Sequence, residues 1–231
     1  TGENRTLLRS EEDLFDTFVT HPMQQALTFF YMLTQKAGFP SYGIAVILLT
    51  VAIKILLYPL TVKQVKSMKT MQDLQPKMKA LQEKYKDNKE KLQQEIADLY
   101  KTHKVNPLSG CLPLIVQMPL LMGIFFAIKE YKYEGATNFL WIKSLQQGTS
   151  LTDPSDPYFI IPLLCALTTY IQQKQTTTEM TQQNKMMLMF MPVFIGYITI
   201  TFPAGLGIYW VVSNMVQIAQ QWFMYRNSTA A

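Results

Sequence analysis

The chain has 231 residues, of which 48% are hydrophobic and 16% are charged. All of its Asp, Glu and Arg residues and all but one of its Lys residues lie outside five long apolar runs. This segregation excludes an ordinary water-soluble core and predicts an all-α integral membrane protein with five transmembrane helices. The runs cover residues 43–60, 111–128, 158–171, 186–203 and 204–223.

Residues 1–40 are predicted to form an external segment. Apolar residues recur in it at helical spacing with glutamine and threonine on the other side, and Gly38 and Pro40 follow. The pattern predicts an amphipathic helix on the outer membrane surface. Thr1 begins no apolar signal peptide and there is no initiating Met, so we expect a processed or trimmed chain. The apolar positions are Met23, Ala26, Leu27, Phe30 and Leu33.

The first span is predicted at residues 41–62 and contains Lys54, the charged residue inside the apolar runs. Lys54 could snorkel to the inner boundary, about 9 Å away along a helix, or it could line a hydrated cavity within the bundle. The cavity is favoured because the other four spans contain no carboxylate that could pair with the cation. Candidate polar neighbours are Thr50, Gln117, Ser213, Asn214 and Gln217.

Residues 63–106 are predicted to form a cytoplasmic helical hairpin. Two series of apolar residues at spacings of three and four are separated by Asp87 and Asn88. Pro76 either kinks the first arm or begins a helix. The lysine-rich outer faces are either simply solvated or a docking surface for anionic lipids or a partner protein. Interspersed acidic residues argue against nucleic-acid readout.

The remaining spans are predicted at residues 107–130, 157–173, 186–202 and 204–224. An external loop, 131–156, and a cytoplasmic loop, 174–185, connect the second to fourth spans, and 225–231 form a cytoplasmic C-terminus. The apolar run that begins at Tyr158 has only 14 residues, a length that also suits a buried soluble helix. Charge balance across the membrane requires it to be a span.

The distribution of Lys and Arg predicts the orientation. With the N-terminus outside, the segments placed inside carry 14 of these residues and the segments placed outside carry 6. The hairpin alone contributes 11 Lys. The positive-inside rule therefore favours an external N-terminus and a cytoplasmic C-terminus.

No catalytic or metal-binding pattern is recognisable. Cys111 and Cys165 lie within apolar runs and are interpreted as small hydrophobic residues, although a disulfide or metal role is the alternative. His21 and His103 have no partner at ligand spacing. We predict a protein that is not an enzyme and that needs no metal or cofactor.

Four segments carry a resemblance to a known family. They are YPLTVKQVKSMKTMQDLQPK, VNPLSGCLPLIVQMPLLMGIFFA, DPSDPYFIIPLL and MFMPVFIGYITITFPAGLGIYWVVSNMVQIAQQW. In this order they resemble the YidC family of membrane-protein insertases across residues 20–226. The resemblance implies five transmembrane helices around a hydrophilic groove that opens to the cytoplasm and to lipid, with an external amphipathic helix and a cytoplasmic hairpin.

The resemblance also implies the site. It places the groove cation at Lys54, the groove glutamine at Gln117 and the groove aromatic residue at Trp210, with Thr50 in the same groove. Asn214, a polar residue of the last span, completes the candidate substrate-binding groove. Most members have Arg at the position of Lys54, so we expect a point charge here and not a bidentate carboxylate clamp.

By resemblance, the protein inserts membrane proteins and helps them fold, alone or with the Sec translocon, without hydrolysing a nucleotide. The implied partners are nascent membrane-protein substrates and membrane lipids, with the translocon, the ribosome and a signal-recognition receptor as further candidates. The implied location is the bacterial inner membrane, and the short form is similar to Gram-positive members. A channel or transporter that uses an intramembrane Lys is the alternative, although we find no inverted repeat.

Overall fold

The computed structural model describes residues 14–103, 112–135, 137–148, 159–177 and 182–228. Within these ranges the chain is helical and has two isolated β-bridges but no strand, which confirms the prediction of an all-α protein. A π-helical turn, Asp16–Thr20, leads into the first of eight α-helices in these ranges. They are α1 (His21–Lys36), α2 (Tyr42–Leu56), α3 (Tyr58–Lys84), α4 (Lys89–Thr102), α5 (Leu112–Glu130), α6 (Ile160–Thr176), α7 (Gln182–Thr201) and α8 (Ala204–Ser228).

Helix α8 is at the centre of the bundle. It packs against α2 on one side and α6 on another, and it also contacts α3, α5 and α7. Gly207 allows a close approach, because a Cβ at this position would overlap the side chain of Ile161 on α6. Small residues at helix crossings are typical of membrane bundles, where helices associate through close packing.

The first predicted span is broken in the structure. Helix α2 begins after Ser41, whose Oγ accepts a hydrogen bond from the Ile44 amide at 3.3 Å, and it ends at Leu56. Helix α3 starts at Tyr58 and is inclined by 62° to α2. Pro59 has no N–H to continue the ladder, which accounts for a break at this point. Continuous hydropathy across 41–62 concealed this break.

The hairpin is formed by α3 and α4, with a turn at residues 85–88 between them. Asn88 caps α4 by accepting a hydrogen bond from the Lys91 amide at 3.0 Å. Pro76 lies inside α3 and does not begin a helix. The base of α3 is buried against the bundle, whereas α4 has no buried residue.

Helix α1 and the described part of the loop between α5 and α6 pack together through tyrosines at one end of the bundle. The rings of Tyr31 and Tyr42 are stacked with centroids 3.8 Å apart, and Tyr131 and Tyr133 meet Tyr42 edge-on. Burial raises the pKa of the Tyr133 phenol above its ordinary value, and the neighbouring phenols add to this effect. The phenol therefore stays neutral and donates to the Ile128 carbonyl at 3.1 Å.

The loop between α5 and α6 also contacts the turn between α7 and α8. The Ala204 amide donates to the Gln147 carbonyl, and the Gly205 amide donates to the Leu145 carbonyl, both at 2.9 Å. Phe139 from the same loop lies against Gly43 so closely that a Cβ on the glycine would overlap its ring. The described residues of this loop are thus an integral part of this end of the bundle.

By length and composition, none of the described helices qualifies alone as a membrane span. The bent pair of α2 and α3 qualifies when the two helices are taken together, and Lys185–Thr201 forms a shorter apolar helix.

Candidate functional site: a polar cavity around Lys54

Lys54 lies in the last turn of α2, immediately before the bend into α3. Its side chain is directed into the bundle and is 7% exposed. The Nζ atom donates a hydrogen bond to Oε1 of Gln217 on α8 at 3.1 Å. The C-terminal end of a helix is a favourable place for a cation because the last carbonyl groups carry partial negative charge.

The cation borders a small cavity of about 30 Å³. A cavity of this volume is large enough to hold a water molecule. Residues of four helices line it, and most of its polar groups are neutral amides and hydroxyls. The lining residues are Lys54, Leu57, Leu60, Thr61, Gln64, Val116, Gln117, Leu120 and Gln217.

Gln117 occupies the α5 side of this cavity. Its Nε2 donates to the hydroxyl of Tyr209 on α8 at 2.7 Å. Tyr209 is almost completely buried and its hydroxyl therefore has a fixed position, so this bond also holds the Gln117 amide in place. Gln117 and Lys54 therefore share one cavity, each held by a side chain of α8.

Trp210 and Asn214 belong to a different polar cluster, between α6 and α8. The Trp210 Nε1 atom donates to Thr169 Oγ1 at 2.9 Å. Asn214 Nδ2 donates to Thr168 Oγ1 at 3.2 Å and to Thr169 Oγ1 at 3.1 Å. Neither Trp210 nor Asn214 lines the cavity around Lys54. This arrangement is that of an interhelical hydrogen-bond network.

Thr50 lies one turn before Lys54 and is completely buried. Its hydroxyl donates to the Val46 carbonyl at 2.7 Å, within its own helix. Thr50 does not line the cavity. Of the five predicted site residues, the structure thus brings Lys54 and Gln117 to one cavity. It places Trp210 and Asn214 at the contact between α6 and α8, and Thr50 in the packed interior.

Thr61 and Gln64 are cavity residues that the sequence did not single out. Both follow the bend, where the sequence had already become polar and was assigned to the end of the first span and to the hairpin. The sequence did not indicate that these two polar residues are buried, whereas in the structure Thr61 is 8% exposed and Gln64 is 6% exposed. The base of the hairpin therefore forms part of the cavity wall.

The described residues contain no group of His, Cys, Asp or Glu side chains arranged to bind a metal ion. His103 contacts Lys77 instead, with Nζ and Nε2 3.1 Å apart. Cys165 is a free, buried thiol that donates to the Gly207 carbonyl at 3.5 Å, in keeping with a packing role. Cys111 lies outside the described residues.

Comparison with known proteins agrees with the resemblance found in the sequence. A family model described as 60Kd inner membrane protein matches residues 32–231. The chain belongs to this family. Membership confirms the resemblance to YidC proteins and makes the chain a bacterial inner membrane protein.

Two relatives show the extent of the similarity to this family. The membrane protein insertase MisCA of Bacillus subtilis is 41% identical over 213 residues, which cover 89% of this chain and 77% of that protein. The membrane protein insertase YidC of Citrifermentans bemidjiense is 40% identical over 214 residues, or 92% of this chain and 37% of that protein. The chain thus spans little more than a third of the length of this YidC relative.

A solved structure of the family has the same fold. The crystal structure described as an active YidC insertase with the first transmembrane domain resolved aligns with a TM-score of 0.66 and 28% sequence identity. The alignment covers 89% of this chain and 45% of that one.

Proposed function

We propose that this protein is a membrane-protein insertase and membrane chaperone. The observation that carries the proposal is the Lys54 ammonium, held between α2 and α8 beside a cavity that is otherwise lined by neutral residues. Such a cation attracts the acidic outer segment of a substrate, and it lowers the cost of moving that segment into a layer of low dielectric constant. Family membership supports the same function.

The driving force is burial of the substrate's apolar segment in the membrane. Each Å² of apolar surface removed from water contributes about 25 cal/mol, so a whole helix outweighs the cost of transferring a short polar segment. We propose that this apolar segment moves along α5 and α7, whose outward faces are rich in exposed methionine and aliphatic side chains. These residues are Ile115, Met118, Met122, Met186, Met187, Met189 and Val193.

The cavity must widen to admit a polypeptide. Helix α5 is the wall that we propose to move, because its described residues pack sparingly against the bundle. The polar interactions of α5 at the cavity include the Gln117–Tyr209 hydrogen bond, whereas Lys54 is attached to α8. Movement of α5 away from α2 and α8 would open the cavity without displacing the cation.

We also propose the orientation expected from the sequence, with the N-terminus and the loop 131–156 outside and the hairpin and C-terminus inside. The hairpin then projects into the cytoplasm, where its tip can recruit partners. The Sec translocon, the ribosome and a signal-recognition receptor are the proposed partners, together with lipid headgroups. Removal of whole turns from both arms beyond Leu74 should reduce insertion in cells and leave the bundle folded.

Reconstitution tests the function directly. The purified protein is placed in liposomes, and a small single-span substrate is added while protease protection and the flux of small ions are recorded together. Insertase activity predicts substrate protection without ion flux. Ion flux without protection would instead identify a channel or transporter, the alternative class for an intramembrane Lys.

A further inference from the structure

Lys54 is held by α8 at two points. Besides the bond from its ammonium to Gln217, its backbone carbonyl accepts a hydrogen bond from Gln220 Nε2 at 3.4 Å. Gln217 and Gln220 are three residues apart and so lie on the same face of α8. The two amides thus attach the last turn of α2, both side chain and backbone, to the central helix.

The chemistry of this attachment matters for a cation that must attract a ligand. A lysine side chain is flexible, and its ammonium needs a partner to stay at one position. A carboxylate partner would fix the ammonium but would also cancel its charge. An amide oxygen accepts the same hydrogen bond and leaves the full positive charge in place. Among the described residues, no ion pair involves Lys54, so its fixed partner is neutral.

We propose that Gln217 is a positioning residue for the insertion reaction. It fixes the Lys54 ammonium at the cavity and, because it is neutral, keeps the charge available for acidic segments of the substrate. The inference rests on the proposed function and extends it.

The first test exchanges the two partners. In the Lys54→Gln/Gln217→Lys variant, the cation comes from α8 and the amide from α2, with the same atoms facing each other. A cation held by an amide is restored, so insertion of a substrate with an acidic outer segment should return to within about threefold of wild type. Lys54→Gln alone should be slower than wild type by about tenfold or more. An exchange variant no better than Lys54→Gln alone would overturn the proposal.

The second test keeps Lys54 and changes the charge of its partner. Gln217→Glu preserves the shape of the side chain but forms an ion pair, so insertion of the acidic substrate should fall by about tenfold, the same loss that we expect for removal of the cation. A substrate with a neutral outer segment should change less than about twofold. Gln94→Glu, the same substitution at an exposed position of α4, is the matched control. Equal loss for both substrates, or wild-type insertion of the acidic one, would contradict a positioning role.

A stability measurement separates failure of this inference from failure of the proposed function. The thermal midpoint of the purified protein is compared for Gln217→Leu in the wild-type and the Lys54→Met backgrounds. If Gln217 holds the ammonium, the substitution should lower the midpoint in the first background and have little effect in the second. Equal shifts in both backgrounds would show that Gln217 only packs, whether or not the wild-type protein inserts substrates.

Discussion

At the scale of single residues, the charge of Lys54 is the property on which the proposed insertion mechanism depends. Attraction between an ammonium and a carboxylate 4 Å apart is worth about 4 kcal/mol at an effective dielectric constant of 20. Lys54→Arg should therefore retain insertion, whereas Lys54→Ala and Lys54→Glu should slow it, most strongly for substrates with acidic outer segments. Rates of protease protection in proteoliposomes measure the effect. Wild-type rates for Lys54→Ala would leave the cation without a role in insertion.

For Asn214 we expect an effect on stability and not on the preference for acidic substrates. Its amide donates hydrogen bonds to two threonines of α6 and does not reach the cavity. Interhelical hydrogen bonds in membranes contribute about 0.6 kcal/mol on average and at most about 1.7 kcal/mol. Asn214→Leu should thus lower the free energy of unfolding by roughly 1–2 kcal/mol, and the thermal midpoint by a few degrees. The ratio of insertion rates for acidic and neutral substrates should stay constant. A changed ratio would mean that Asn214 acts on the substrate.

The candidate site could be predicted in part from residue type alone. A lysine in an apolar run and a glutamine in another are costly in a membrane, so Lys54 and Gln117 stand out without any structure. Trp210 and Asn214 were also polar or aromatic residues of a span, yet they face α6. Which way a helix residue points depends on the rotation of each helix in the bundle, and that rotation follows from tertiary packing.

At the scale of the helices, α6 and α8 cross closely at Gly207. A Cβ there would overlap Ile161 and would approach Thr199 Cγ2 to 3.2 Å, so α6, α7 and α8 would all have to shift. Gly207→Ala should cost about 1–3 kcal/mol, the usual penalty for overpacking. The thermal midpoint in detergent measures this loss of stability. Gly38→Ala is not a suitable control, because Gly38 has a positive φ that alanine rarely adopts. Ala166 lies opposite Gly196, where α6 and α7 meet. Ala166→Gly tests whether loosening this contact also lowers the thermal midpoint.

The base of the hairpin is attached to the bundle through Gln72 of α3. Its Nε2 donates to the Thr176 carbonyl at the end of α6 at 2.8 Å, and Leu74 nearby is 3% exposed. A hydrogen bond of this kind contributes about 1 kcal/mol, which corresponds to about a fivefold change in local opening. Gln72→Leu should therefore speed amide hydrogen exchange in the first half of α3 several-fold. Gln93→Leu, at an exposed position of α4, should leave it unchanged.

The helices themselves were largely predictable, because apolar runs and spacings of three and four residues identify buried faces directly. The break at Leu57 could not be predicted in this way. One apolar stretch continues from α2 into the start of α3, and only Pro59 marks the change of direction. The start of α3 lines the cavity through Thr61 and Gln64, which are buried just after the 62° bend.

At the scale of the whole molecule, the two ends of the bundle are built from different segments. At one end, Gln72 joins the hairpin to the end of α6, and Gln220 joins the second half of α8 to the end of α2. The other end joins α1, the loop after α5 and the turn before α8 through the tyrosine contacts and the Ala204–Gln147 hydrogen bond. This separation agrees with the division of charge, in which 14 Lys and Arg residues fall in the predicted inner segments and 6 in the outer ones.

The proposed orientation in the membrane rests on that division of charge. The hairpin carries 11 Lys, and the positive-inside rule therefore predicts that it stays in the cytoplasm. A cysteine at Asn88, in the turn of the hairpin, should react with an impermeant thiol reagent only after the cells are opened. A cysteine at Lys132, beside the tyrosines at the other end, should react in intact cells. Both variants are made with the buried Cys165 and with Cys111 replaced by Ala, so that labelling reports the new thiol. Labelling of Asn88→Cys in intact cells would reverse the proposed orientation, and the cavity would then have to open toward the outside.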